Sequence, residues 1–426
     1  MSNGMDGMAK RLIAELKKKA KYVLSRRKFH AFESRIHPST LRLHDEVTRW
    51  ATACACTEKN STESLESLEA YQRCDDPLVL QGHRLAEQAK KVFKGKLSSL
   101  SGTRILAHLP SPKNSPAGFS LITNLLQSLN YIGVEAEAWC QEDDIEAALN
   151  RFKPSIFIIS DYAPFLNQVD WDVMRRFRLN HNLKLGLTAS LEQYGNTPLR
   201  QRLAWAESHG VDFYYSYRSP EYVEMRSEYK PFIESGYPIL CVEFGVNPLH
   251  YYPVPGIRKD LNYVFLASSN QDKWDRYFAF LGDVLASCPG YISGPGWSFA
   301  KEFTFQTDRD RYLYARAKVG LNLHITEQIE WACELNERTY MLAACGVPQL
   351  VDNPALLSKR FNPDGFFIVD TPARYKELFG EMVHGSVDVV KAALLSQKET
   401  LENHTTFHRA ETFAFSLDKL IQETRG

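Results

Sequence analysis

The stretch GVNPLHYYPVPGIRK, residues 245–259, decides the architecture. Three prolines and two glycines in fifteen residues break regular structure and mark a connection between domains. One pattern occurs on both sides of it. Upstream, β-rich runs at 104–109, 134–139, 156–160, 184–188, 212–217 and 239–244 alternate with helical periodicity at 119–131, 144–151, 171–180 and 199–208. Downstream, strands are predicted at 262–267, 291–293, 319–323, 348–351 and 366–369. Helices are predicted at 275–286, 309–317, 337–344 and 373–382. Strand-helix alternation with short loops means a parallel sheet covered on both faces, and runs such as IFIIS (156–160) suit strands buried on both sides.

The expected fold is therefore α/β, with two Rossmann-like doubly wound domains facing each other across a cleft. The expected divisions are 1–100, a helical extension; 101–248, a first α/β domain; 249–400, a second; and 401–426, a tail helix returning to the first. In such sheets ligands bind beyond the carboxyl ends of the strands.

Equal numbers of acidic and basic residues give no overall argument for nucleic-acid binding. No apolar run approaches the about 18–20 residues of a membrane span, and the first residues lack a secretory pattern. The expected location is the cytoplasm. From Met8 to Lys28 apolar residues at helical spacing oppose a lysine- and arginine-rich face. Such a helix either touches an anionic membrane surface or packs its apolar stripe on its own protein. The eight cysteines show no paired zinc-site spacing; Cys54-Ala-Cys56 has no second pair.

The segment GLNLHITEQIEWACELNERTYMLAACG, residues 320–346, carries most of the chemistry. A strand runs into an acidic loop and then a helix capped by Asn336, with Glu337, Arg338 and Thr339 in its first turn. A helix N-terminus with an arginine suits a diphosphate; alternatively Asn336 only caps and Arg338 pairs with Glu334 or Glu337. In SGPGW (293–297), Gly294 and Gly296 allow close backbone approach and Trp297 offers an indole face. Lys301 follows within reach of phosphate. His324 closes the strand containing Asn322 and either contacts the ligand or satisfies a loop carbonyl.

The order GVNPLHYYP, VFLASS, GPGW, LNLH, NERTYMLAACGVPQLVDN, HTTFHRAETF, between residues 241 and 413, resembles the CgeB-like (YkvP-type) glycosyltransferases, which have the GT-B fold. The matching positions are Gly296-Trp297, Leu321-Asn322, Asn336-x-Arg338-Thr339-Tyr340, Cys345-Gly346, His404-Thr405 and His408-Arg409. The resemblance implies a nucleotide-sugar donor held by the second domain, with Asn336, Arg338 and Thr339 near the diphosphate and Gly294–Trp297 near the nucleotide. One position departs from the pattern. Tyr340 is followed by Met341, where related enzymes often carry a ribose-binding glutamate.

Sugar transfer also needs a base when it proceeds with inversion. Asp161, which ends a buried strand, suits that role best; His108 and Glu192 are further candidates, and Glu334 falls near the first acid of a paired-glutamate pattern. Each has a plainer alternative as a cap, turn or packed side chain. The same holds for His404, His408 and Arg409, which either serve the site or stitch the halves together. Asp308-x-Asp310 sits at a predicted helix start, so no obligatory metal or cofactor is expected beyond the donor itself. The leading expectation is a glycosyltransferase with an unidentified acceptor. A nucleotide-sugar epimerase and an inactive nucleotide- or partner-binding descendant are the alternatives.

Overall fold

A computed structural model describes residues 23–57, 65–100, 102–191, 197–300 and 307–423. The basic stretch through residue 22, Glu192 and Lys301 lie outside them.

Six strands form the first sheet: β1 Arg104–His108, β2 Glu135–Trp139, β3 Ile156–Ile159, β4 Lys184–Thr188, β5 Phe213–Ser216 and β6 Ile239–Cys241. Their order is β2-β1-β3-β4-β5-β6, all parallel. The second sheet holds β7 Leu261–Leu266, β8 Tyr291–Ser293, β9 Ala317–Asn322, β10 Gln349–Val351 and β11 Phe367–Ile368. Its order is β11-β10-β9-β7-β8, again all parallel. Both sheets have the strand reversal that creates a crevice at the carboxyl edge. This is the GT-B arrangement of two Rossmann-like sheets.

Each sheet is buried on both faces, as its apolar runs require. Local signals set most helix limits. Helix Pro116–Ile132 starts earlier than periodicity alone suggests, because Pro116 fits the first turn, and it ends at Gly133 in the left-handed region. The run predicted as one helix over 275–286 is two, Trp274–Phe280 and Gly282–Ser287, with the break at Leu281.

The chain crosses between the domains twice. Residues 242–260 lead from β6 to β7. Helix Val389–Asn403 then lies against helices Pro77–Phe93 and Glu337–Ala344, where Gln397 Nε2 donates to the carbonyls of Leu78 and Ala344. Helix Thr406–Glu423 packs Phe407, Phe413, Leu417 and Ile421 on the first sheet beside Ile105, Phe213 and Tyr215. Burying each of these side chains contributes about 2 kcal/mol. The N-terminal helices pack on the second domain: Phe29 stacks on Trp274 at 4.7 Å, and helix Pro38–Thr57 contacts β8. No described helix is long and apolar enough to cross a membrane.

Candidate functional site

The carboxyl ends of β7 and β8 and the start of helix Glu337–Ala344 open on a cleft of about 540 Å³ between the domains. The second domain lines it with Leu266–Ser268, Asn270, Lys273, Gly294, Pro295 and Asn336–Arg338. The first domain contributes Asn114–Ala117. Two helices therefore aim their N-termini at one space, Pro116–Ile132 from one side and Glu337–Ala344 from the other. Ser115 provides no side-chain cap to the longer helix, so Ser115 Oγ leaves its first-turn N–H groups unoccupied, while the Ser115 carbonyl accepts from the Phe119 amide. Both termini present partial positive charge.

A hydrogen-bonded network builds the second-domain wall. Asn336 Oδ1 accepts from the Thr339 amide at 3.0 Å, and its Nδ2 donates to Asn322 Oδ1 at 2.9 Å. Asn322, fully buried at the end of β9, donates to Thr339 Oγ1 and to Gln349 Oε1. Arg338 donates from Nη1 to the Leu266 carbonyl and from Nη2 to the Leu323 carbonyl, both at 2.9 Å, and from Nε to Asn322 Oδ1. The guanidinium thus ties the ends of β7 and β9 together. Three of its five N–H groups are engaged in this way, and its face lies over Phe265.

Lys273 is the second cation of the cleft. It follows the small-residue turn after β7, donates to Ser268 Oγ at 2.8 Å, and is lowered to about 8 by burial and then by the nearby Arg338. Arg309 also lines the cleft but is held by Asp310 Oδ1 through Nε and Nη2. Glu337 differs from both. It is half-buried, has no hydrogen-bonding or ionic partner among the described residues, and burial pushes its carboxyl up to about 7. Met341 lines the cleft one turn further along.

The residues expected from sequence divide into two groups. Gly294, Asn336, Glu337 and Arg338 line the cleft. The others among the described residues lie behind it or away from it. Trp297 is turned inward: Nε1 donates to the Ala267 carbonyl, and Tyr277 stacks on the ring, so its face is closed to a base. Gly294 and Gly296 have positive φ and let the turn lie on the 267–269 loop. A Cβ on Gly294 would meet the Ala267 oxygen at 2.2 Å. Thr339 is buried between Asn322, Asn336 and His324. Tyr340 is buried beside Phe361 and His404. His324 bonds Asp352 at 2.7 Å through Nδ1, and burial lowers its pKa, so a neutral ring braces the wall instead of facing a ligand.

The base candidates among the described residues are occupied. Asp161 is buried, ion-paired with Arg202 and bonded to Thr188 Oγ1 at 2.8 Å; burial raises its carboxyl despite the arginine. Glu334 pairs with Arg218 across the domain boundary and accepts from Gln328. His108 is buried against Trp139 and Phe165, meets Gln168 Oε1 at 2.9 Å, and has its pKa lowered by burial. In the tail, His404 contacts the Arg360 carbonyl and Arg409 donates to the Phe244 carbonyl. Both imidazoles, His404 and His408, are lowered to about 4, chiefly by burial. His404 thus joins the tail to the second domain as a neutral group, while His408 stays local, bonded to Thr405 and packed on Phe93.

Sequence reading missed Lys273 and the Asn114–Ala117 turn. Signals for both were present: a lysine just after a small-residue turn at a strand end, and Ser-Pro opening a helix after the first strand.

Residues 276–414 match the model of a family described as Glycosyl transferase-like. The matched stretch holds β8 to β11 of the second sheet and the first half of the last helix. No curated protein matches the chain significantly. Similar solved structures include the T4 phage beta-glucosyltransferase, at 11% identity over 75% of this chain and 99% of that one, TM-score 0.47. HepE of Anabaena, in complex with UDP-glucose, shows 11% identity over 74% and 99%, TM-score 0.49. Sucrose-phosphate synthase of Thermosynechococcus elongatus shows 12% identity over 75% and 99%, TM-score 0.43.

Proposed function

We propose that the protein moves a glycosyl group from a nucleotide sugar to an acceptor hydroxyl, with the donor in the interdomain cleft. The observation that carries this reading is the convergence of two helix N-termini, Lys273 and Arg338 on one cavity within a glycosyltransferase-type architecture. A nucleoside diphosphate brings concentrated negative charge, and that charge grows on the leaving oxygen during transfer. Fixed donors and cations stabilise it best where water is scarce. Lys273 and Arg338 supply this charge without a metal, so the proposed reaction is metal-independent. The order of motifs from 245 to 413 supports a CgeB-like subfamily in this reading.

Met341 favours one second reading, nucleotide binding without transfer, because a thioether cannot hold ribose hydroxyls as a carboxylate does. A thermal-shift screen with UDP, GDP, ADP, CDP and dTDP, with and without EDTA, tests both. A ligand at about 100 times its Kd stabilises the native state by roughly 2.7 kcal/mol. Stabilisation by one diphosphate, with diphosphate release from the matching nucleotide sugar, is the expected result. Stabilisation without release supports the second reading, and no stabilisation rejects both.

A further inference from the structure

We infer that Glu337 takes the proton from the attacking hydroxyl, and that this hydroxyl reaches it from the first-domain side of the cleft. The inference rests on the reading of the cleft as a donor site.

Glu337 lines two spaces. One is the cleft; the other is a void of about 30 Å³ whose walls include Leu121, Tyr217 and Phe244. The same three residues line a cavity of about 220 Å³ beyond β4 and β5, where Thr188, Ser190 and Ser216 add hydroxyls. Donor cleft, void and first-domain cavity thus share walls, and Glu337 stands at the first boundary. Its carboxylate is also the uncommitted acid there. Asp310, the other acid lining the cleft, is bonded to Arg309, while Glu334 and Asp161 are paired with Arg218 and Arg202.

The groups facing Glu337 set its behaviour. Tyr217, Tyr251 and Tyr314 surround it from the end of β5, the interdomain connection and helix Thr307–Ala315. Asp310, Arg309, Lys273 and Arg338 share the cleft, and Glu243 and Arg409 share the void. Burial dominates and holds the carboxyl near neutrality, where a base is strong enough to accept a proton, is half ionised at neutral pH and is largely ionised above it.

The step balances. The acceptor O–H passes its proton to the Glu337 carboxylate as the oxygen bonds to the anomeric carbon. The bond from that carbon to the β-phosphate oxygen breaks, and its electron pair stays with the departing nucleoside diphosphate. Glu337 then returns the proton to solvent.

The test uses the full chain and whichever of UDP-glucose, GDP-mannose, ADP-glucose or dTDP-glucose corresponds to the stabilising diphosphate. Water serves as acceptor, and diphosphate release is followed from pH 5 to 9. The expected wild-type rate rises through a midpoint near 7 and falls again above about pH 8, where Lys273 loses its charge. Glu337→Gln loses at least about 100-fold in rate, within the ordinary contribution of a general base, yet keeps its melting temperature and its stabilisation by the diphosphate. Glu337→Asp keeps a rising limb at reduced rate. A Gln variant with wild-type rate or an unchanged limb overturns the inference while leaving the donor reading intact. A wild type that binds the diphosphate but releases none from the sugar also overturns it. A wild type that binds no diphosphate removes the donor reading itself and the inference with it.

Discussion

Glu337 and Met341 stand one turn apart on the same face of helix Glu337–Ala344, and both line the interdomain cleft. A second carboxylate at 341 would repel the first. Met341→Glu is therefore expected to shift the rising limb of diphosphate release to higher pH, by roughly half a unit in this half-buried setting. The pH–rate profile of the variant checks this; a limb that stays in place separates Glu337 from the titration.

Arg338 is both a structural tie and a cleft cation. Arg338→Ala leaves the Leu266 and Leu323 carbonyls without their donor, costing about 1–3 kcal/mol in urea unfolding. It is also expected to abolish stabilisation by the nucleoside diphosphate. Arg338→Lys keeps the charge but lacks the planar fork, so it should lose most of the same increment of stability while retaining part of the binding. Full binding in the alanine variant would remove Arg338 from the donor site.

Lys273 sets a different pH response. Its pKa is lowered to about 8, so the cation is present below that pH and lost above it. Diphosphate affinity should fall as pH rises through about 8. Lys273→Met should flatten the trend and weaken binding about tenfold at neutral pH, the size of one charge-assisted hydrogen bond. Calorimetric titration at pH 6.5, 7.5 and 8.5 measures both effects.

Asp161 tests the opposite expectation. Asp161→Asn leaves Arg202 buried without its counter-charge, which costs about 3–5 kcal/mol of stability. The midpoint of the pH–rate profile should not move. A lost rising limb with unchanged unfolding would identify Asp161 as the base instead of Glu337.

Arg360 joins the domains by forked bonds to Glu221 and Glu243. Hydrogen bonding to Arg360 holds the Glu221 carboxyl down at about 2. A depressed carboxylate adds stability above its unfolded pKa of about 4.3 and loses it as pH falls toward the folded value. Wild type should therefore lose stability between about pH 4.5 and 2, and Arg360→Met should lack that portion of the loss. Denaturant midpoints at pH 6 and pH 3 make the comparison.

The two parallel sheets were readable because the periods that distinguish strand from helix are local. Runs such as IFIIS need no knowledge of distant residues to be recognised as buried strands. Gly346 closing a helix in the left-handed region and Asn336 opening it are equally local signals. The cleft was legible only as a region. Asn336, Glu337, Arg338, Thr339 and Tyr340 are consecutive, but each step along the helix turns a side chain by about 100°. Arg338 and Glu337 therefore reach the cavity, while Thr339 and Tyr340 enter the core.

Residue types and their order dictated the elements, the break at 245–259 and the polar character of the strand ends. Tertiary contacts decided which polar groups were left for chemistry. Asp352 claims His324 from 28 positions away, Arg202 claims Asp161 from 41, and Arg218 claims Glu334 from 116. Among the described residues no such partner reaches Glu337. The physical reason is one of range. Backbone periodicity is settled within a few residues, whereas the charge state and availability of a side chain depend on whichever distant groups the fold brings within hydrogen-bonding distance.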